Sequence, residues 1–350
     1  MRRSSRSVEM DTQLQPRSSS RWACAGRAAI VAALAAGATG CVVRVDSDGF
    51  RLREEKRFGT KGRPTVQLST FDGPIVIRGW DRAEVSVEVE KRGRDKAAAE
   101  AIDVLAEQKG DIVRVEARKK DLDGERSYSI GWSGPSRSAK MVVSVPTGSD
   151  LVVRTGDGSI RVEHVNGRVE LKSADGSVTG RELTGDILAH TEDGAIRLEG
   201  IDGTCDAASE DGSITVQGRF ENLRISAEDG SVVVRANPGS KIDRDWNLST
   251  GDGSLVLYVT DGLAADVDAR TGDGSVRLDS GLRFARDEGE QSRSMLRGRL
   301  GPGGPRLVMR SGDGTIRLRR MAGGSAVAEA PPPKPPAPPK PPLPDEPVER

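Results

Sequence analysis

The dipeptide Asp-Gly recurs along this chain at a spacing that decides what it can fold into. Asp157, Asp175, Asp193, Asp211 and Asp229 stand at four successive intervals of 18 residues, followed in turn by Gly158, Gly176, Gly194, Gly212 and Gly230. Asp252-Gly253, Asp273-Gly274 and Asp313-Gly314 continue the series at looser intervals. A strict period of this length marks one small supersecondary unit used repeatedly. The four regular units read TGDGSIRVEHVNGRVELK, SADGSVTGRELTGDILAH, TEDGAIRLEGIDGTCDAA and SEDGSITVQGRFENLRIS.

Counting from each Asp, the third position holds Ile160, Val178, Ile196, Ile214, Val232, Leu255, Val276 and Ile316, with no polar exception. The fifth holds Val162, Leu198, Val216, Val234, Leu257, Leu278 and Leu318, with Gly180 as its departure. On the return limb the twelfth position is Val169, Ile187, Cys205 and Leu223, and the fourteenth is Leu171, Ala189, Ala207 and Ile225. Spacing by two places each set on one face of a strand. A second turn lies halfway, at Asn166-Gly167, Thr184-Gly185 and Asp202-Gly203, and the fourth unit breaks it with Phe220-Glu221.

Each unit is therefore two short strands and two turns with one apolar face, too little burial to offset the entropy of ordering it alone. Stacking units about 4.8 Å apart completes the backbone ladders and makes the core continuous, which predicts an all-β fold: a β-solenoid, parallel β-helix-like, with coils of about 18 residues. The Asp-Gly is expected to turn one corner of every coil, Gly by accepting φ > 0 and Asp by bonding its own backbone. An antiparallel meander or barrel is the rival, because Asp-Gly and Asn-Gly also make tight hairpins. A meander gives no reason for every second turn to be identical while the intervening one drifts; stacking like on like does. Aromatic residues make up 3% of the chain against 42 glycines, which excludes a core built on large rings and suits short Val, Ile and Leu strands.

Residues 65–150 keep the strand vocabulary without the period, in STFDGPIVIRGW, AEVSVEVEKRG, DIVRVEARKK and KMVVSVPTGSDLVVRT. Between them DKAAAEAIDVLAEQKG predicts a helix over about 95–109, capped by Asp95, stopped near Gly110 and carrying Ala98, Ile102 and Leu105 on one face. Such a helix would cover the solenoid's first open edge. Residues 151–319 form the repeat solenoid, with 280–305 as a long loop. The last 20 residues hold 11 of the 19 prolines, so 320–350 reads as a disordered, extended tail, a spacer or a docking peptide.

At the other end Arg17, Arg21 and Arg27 precede the apolar run AAIVAALAAGATG at 28–40, an export signal too short for a permanent span, with Met10 as an alternative start. The run ends at ATGC, which resembles a bacterial lipoprotein signal: small residues before a cysteine that becomes lipidated and N-terminal. That resemblance implies cleavage before Cys41, lipid attachment there and residues 41–64 as a tether, although Ala38 stands where the motif usually has Leu. The alternative is an ordinary secretory signal. With Cys24 removed and Cys41 capped, Cys205 has no partner for a disulfide. By the same resemblance, the absence of Asp at Val42 points to the outer membrane.

VEVEKRG, the Ala-rich segment, VVSVPTGSDLVVRTGDGSIRVEHVNGRVEL and the run of DGSI units together resemble the bacterial putative-adhesin family of β-strand repeat proteins, largely a domain of unknown function, over about residues 65–320. The resemblance implies a right-handed β-helix-like fold on the cell envelope and supplies no catalytic residues.

Few residues suggest chemistry. His164 and His190 sit on different coils beside inward positions and make no metal site. Cys205 falls on an apolar column and reads as a core residue. Trp80, Trp132 and Trp246 are too few for a row of sugar-binding rings. The sharpest candidate is electrostatic: Glu192-Asp193, Glu210-Asp211 and Glu228-Asp229 would stack six carboxylates along one corner, where calcium would relieve their repulsion, although Arg197 and other bases offer neutralisation. The 53 basic and 53 acidic side chains cancel, so no nucleic-acid partner is expected, and no cofactor is implied. These features suggest a lipid-anchored, non-enzymatic envelope protein for binding, adhesion or scaffolding, with an envelope glycan or another envelope protein as partner. The alternatives are a self-assembling envelope or stress-response component and a polysaccharide-active enzyme on a β-helix.

Overall fold

The structure, a computed structural model, describes residues 41–46, 49–120, 137–287 and 292–321. All lie in one unit, Gly37–Arg350; the other unit, Met1–Ala36, falls outside the described residues, as do the rest of the export segment, Trp132 and the tail from 322 onward. The lipid attachment at Cys41 concerns a side chain outside that description.

In chain order the first part forms β1 (Cys41–Asp46), β2 (Gly49–Gly59), β3 (Thr65–Thr70), β4 (Ile75–Trp80), β5 (Glu84–Gly93), the helix α1 (Lys96–Glu100), β6 (Ile102–Lys109), β7 (Ile112–Lys119), β8 (Ser138–Pro146) and β9 (Asp150–Thr155). The four regular units follow as β10 (Ile160–Ser173), β11 (Val178–Thr191), β12 (Ile196–Ser209) and β13 (Ile214–Ala227), one long bent strand per coil. These four pair in parallel. Ile160, Val178, Ile196 and Ile214 lie in one register column, and Val169, Ile187, Cys205 and Leu223 in another. Parallel pairing at the 18-residue offset establishes the solenoid over the hairpin meander.

Every residue of the four apolar columns in these coils is buried, Gly180 included. The eighth position adds a column that the two-residue spacing did not reveal: Val165, Leu183 and Ile201 are buried. They turn inward because the seventh residue bends the strand, with His164, Glu182 and Gly200 at φ of 59°, 51° and 69°. Leu183 explains the exception at Gly180, where a Cβ would lie 2.8 Å from the side chains of Leu183 and Leu198. In the fourth coil, Phe220 is buried edge-to-face against Trp246, with ring centroids 6.2 Å apart, and the β12–β13 register shifts beside it. That aromatic pair fills the core where the other coils make a glycine turn.

On one limb β10 continues through β4 and β8, and on the other through β9, β3 and β7, all in parallel. Antiparallel strands then finish both limbs: β5 on β8, β2 on β5 and β1 on β2, and β6 on β7. The segment 41–64 is thus not a tether but supplies two strands. Its alternation is hidden by charge, because Glu54 meets the buried Lys91 at 2.5 Å and Arg53 bridges Glu88 and Glu90 across the pair. The helix expected over 95–109 is also corrected. Asp95 does cap it, its carboxylate accepting from the Ala98 N–H at 2.8 Å, but the helix ends at Glu100 and Ile102–Lys109 is β6. Pairing with β7 buries Ile102 and Val104, a tertiary gain that overrides helix propensity. Ala99, not Ala98, is the buried helix residue.

Beyond the repeats run β14 (Val232–Ala236), β15 (Trp246–Thr250), β16 (Leu255–Val259), β17 (Ala265–Thr271), β18 (Val276–Leu278), β19 (Phe284–Arg286), β20 (Met295–Leu300), β21 (Arg306–Ser311) and β22 (Ile316–Arg320). Their spatial order departs from chain order. β21 lies between β15 and β17, and β22 between β16 and β18, so the final coil is inserted beneath the one that precedes it in sequence. Residues 280–305, expected as a loop, contain the antiparallel pair β19–β20, and β20 covers β17. Leu296 and Leu300 face inward there, a parity that the intervening arginines and glycine obscure.

Candidate functional site

The Asp-Gly corner is built differently from its sequence-level account. The glycines of the repeated Asp-Gly pairs are not among the residues with positive φ. Glycine is required because coils touch there: a Cβ on Gly176, Gly194, Gly212 or Gly230 would overlap the carbonyl oxygen of Gly158, Gly176, Gly194 or Gly212 respectively. The same contact runs on through Gly253, Gly314 and Gly274, in the spatial order of the coils. The bond that closes the corner comes from a hydroxyl two residues before the Asp. Ser173 Oγ donates to Gly158 O and accepts from Gly176 N–H, both at 3.0 Å. Thr191 and Ser209 repeat this with Gly176 O and Gly194 O at 3.0 and 3.1 Å. Thr250, Ser311 and Thr271 donate likewise to Gly230, Gly253 and Gly314. Sequence reasoning passed over this buried column, although Ser or Thr at that position was its visible signal; Ala227 is the exception.

The acidic corner stacks as anticipated. Asp211 N–H donates to Glu192 O and Asp229 N–H to Glu210 O, each at 2.9 Å, with Glu192, Asp193, Glu210, Asp211, Glu228 and Asp229 exposed. Among the described residues, however, no group of three or more His, Cys, Asp or Glu converges on a point that could hold a metal. His164 is exposed, its Nε2 2.9 Å from Glu182, and His190 is half-buried on the next coil. Cys205 is buried and its thiol is pushed up by desolvation, with Asp206 adding to the shift, so it remains a core thiol. Trp80 donates from Nε1 to Glu84 O at 2.9 Å and Trp246 lies in the core, so neither offers a free ring row.

The outward positions of the return limb form an open groove of about 980 Å³ crossing four coils. Asp186, Thr204, Asp206, Asn222, Arg224 and Asn247 line its floor, and Arg244 and Asp245 stand beside it. These two come from the connection between β14 and β15, which stretches the interval from Asp229 to Asp252 five residues beyond the repeat. Burial raises the Asp206 carboxyl above its ordinary range, and Arg224 opposes that shift. The Asn222 Oδ1 is buried without a hydrogen-bond partner, an acceptor left open in the lining.

The opposite limb changes character along its length. Over the regular coils guanidiniums alternate with carboxylates: Arg78 meets Glu163 at 3.2 Å, and Arg197 and Arg181 meet Glu199 at 2.7 and 3.5 Å. Over β14, β16 and β22 the equivalent outward residues are Val233, Arg235, Val256, Tyr258, Arg317 and Arg319. Arg235 and Arg319 lie 5.1 and 5.9 Å from the centre of the Tyr258 ring.

A stack of parallel coils presenting two extended sheet faces defines a repeat protein of the solenoid class. The chain belongs to the Toastrack DUF4097 family, a domain of unknown function, whose match over residues 65–319 begins with β3 and ends within β22. No curated protein matches the chain. Among solved structures, a "putative adhesin" from Parabacteroides merdae aligns over 76% of this chain and 95% of its own, at 10% identity and a TM-score of 0.45. A "putative lipid binding protein" from Parabacteroides distasonis covers 76% and 96%, at 16% identity and 0.42. A "putative cell adhesion protein" from Clostridium sporogenes covers 77% and 99%, at 11% identity and 0.28.

Proposed function

We propose that this chain is a non-enzymatic envelope protein, held to the membrane by lipid on Cys41, whose solenoid binds an extended envelope glycan or a partner protein along its outer faces. The observation that carries the reading is the groove across four coils, open and floored by mixed donors and acceptors. Extended concave or flat faces of this kind are how solenoids engage long ligands. Carboxylates, amides and guanidiniums together suit a polyhydroxyl chain, and the open Asn222 acceptor favours a ligand with hydroxyl donors. The acidic residues of the groove, Asp186, Asp206 and Asp245, come from three separate segments of the chain.

Two experiments test this. The full chain is applied to a panel of neutral and acidic glycans with binding and product release both recorded; retention without cleavage supports the reading, and turnover replaces it with the polysaccharide-enzyme alternative. Replacing Cys41 by Ser is expected to move the protein from the membrane fraction to the soluble one, and unchanged fractionation removes the lipid anchor. Outer-membrane delivery is read in the same fractionation.

A further inference from the structure

We propose that the outer face of β14, β16, β22 and β18 binds an acidic polysaccharide, with Arg235, Arg277, Arg317 and Arg319 gripping its carboxylates. This deepens the binding reading above and rests on it. Of the twelve arginines from Arg270 to Arg320, a stretch with no lysine, Arg277, Arg317 and Arg319 stand on this face, and arginine is the cation that suits planar, two-pronged recognition of carboxylate. Arg277 and Arg317 stand directly opposite each other in neighbouring strands, a like-charge pairing that destabilises a sheet. The acids nearby are already committed. Asp279 accepts from the backbone N–H of Gly281 and Arg320, and Asp261 pairs with Arg320.

Tyr258 holds two of these four arginines, Arg235 and Arg319, through its ring. Its neighbours in register are Arg235 on β14 and Arg319 on β22, and both guanidiniums lie against its ring, with Arg319 also 3.4 Å from the phenol oxygen. Stacking on a ring fixes a guanidinium while leaving most of its N–H edge for an anion; a salt bridge would occupy that edge. Val233 and Val256, adjacent in register, supply an apolar strip among the charges for the C–H faces of sugar rings. The surface is a sheet whose cations recur at multiples of about 4.8 Å, a geometry for an extended chain rather than a small anion.

The test uses the full chain with polygalacturonate as probe and neutral dextran as control, by calorimetry at low salt. Polygalacturonate is expected to bind and dextran to bind far less. Each of Arg235→Gln, Arg317→Gln and Arg319→Gln should weaken polygalacturonate about tenfold, the size of one charge-assisted hydrogen bond. Tyr258→Ala should weaken it comparably, and Arg161→Gln, on the same limb over the regular coils, should not. Melting temperatures no lower than that of the wild type show that the variants fold, and Arg317→Gln is expected to raise its own by relieving the pairing with Arg277. The proposal falls if the triple variant Arg235→Gln, Arg317→Gln, Arg319→Gln binds as wild type, if dextran competes equally, or if the Cys41→Ser chain, which lacks the proposed lipid, takes phosphatidylglycerol vesicles or single-stranded DNA in preference to polygalacturonate. Neutral-glycan retention by the groove is expected to survive the arginine substitutions, so failure of this surface and failure of the general binding reading give different results.

Discussion

The coils β10 to β13 and the coils beyond them obey the same corner chemistry in different chain orders. In the first group each coil lies on the one before it in sequence. In the second, the coil of Asp313 lies between those of Asp252 and Asp273, and the glycine and hydroxyl columns run unbroken through the exchange. A rung is therefore accepted for presenting the right glycine, hydroxyl and aliphatic columns, not for its place in the chain. The two regions also differ in charge. Carboxylates and guanidiniums alternate over the regular coils, and arginine dominates the outer face of the later ones.

The largest test of that comparison is truncation after Gly304. It deletes β21 and β22, the parallel partners of β17 and β18, so hydrogen exchange should show two coils losing protection for the loss of one. Retained protection over 265–278 would mean that the remaining coil pairs directly with β15–β16, and that the inserted order is not required.

Next in size is Gly194→Ala. The new Cβ would overlap Gly176 O, a backbone atom, so a loss of about 4 kcal/mol or more is expected in denaturant unfolding. Gly262→Ala, at an exposed turn with open space around its Cβ, should stay within about 0.5 kcal/mol. Similar costs at the two sites would break the contact explanation of the corner.

The hydroxyl column sharpens the comparison at smaller scale. Thr191→Val leaves Gly176 O and Gly194 N–H without that partner and should cost about 1–3 kcal/mol. Ala227→Ser restores the missing hydroxyl and should gain about 1 kcal/mol. Asp206 predicts a pH signature. Its folded carboxyl is raised, so the stability linked to its protonation is present at acid pH and is lost as pH rises through the folded value. Asp206→Asn should therefore raise the melting temperature slightly at pH 7 and not at pH 3. Smallest of all, calcium should leave the melting temperature unchanged; a rise would assign an ion site to Glu192, Asp193, Glu210, Asp211, Glu228 and Asp229.

Much of this was legible before the structure. The fixed period and the aliphatic columns implied parallel stacking, because identical turns every 18 residues have no other economical use. The corner glycine was found for the wrong reason: a single sequence shows which residue recurs, while the carbonyl that crowds it belongs to another coil. The hydroxyl column was written at Ser173, Thr191 and Ser209 but reads as ordinary turn polarity until Gly158, Gly176 and Gly194 are seen beneath it. β2, β6 and β20 were missed because paired charges, an alanine-rich stretch and interrupting arginines mask their alternation. The groove and the Arg–Tyr face were invisible, since their residues come from coils up to 84 positions apart.

Local order in the regular coils was thus determined by the repeat: where their strands run, which side chains of the four spaced columns turn inward and where the Asp-Gly corners fall are set by spacing within about 18 residues. Which coil lies on which was decided only in three dimensions, wherever the chain leaves the period. The physical reason is that backbone ladders and aliphatic columns are interchangeable between rungs, so contacts between distant segments select the arrangement, and with it the outer faces that meet a partner.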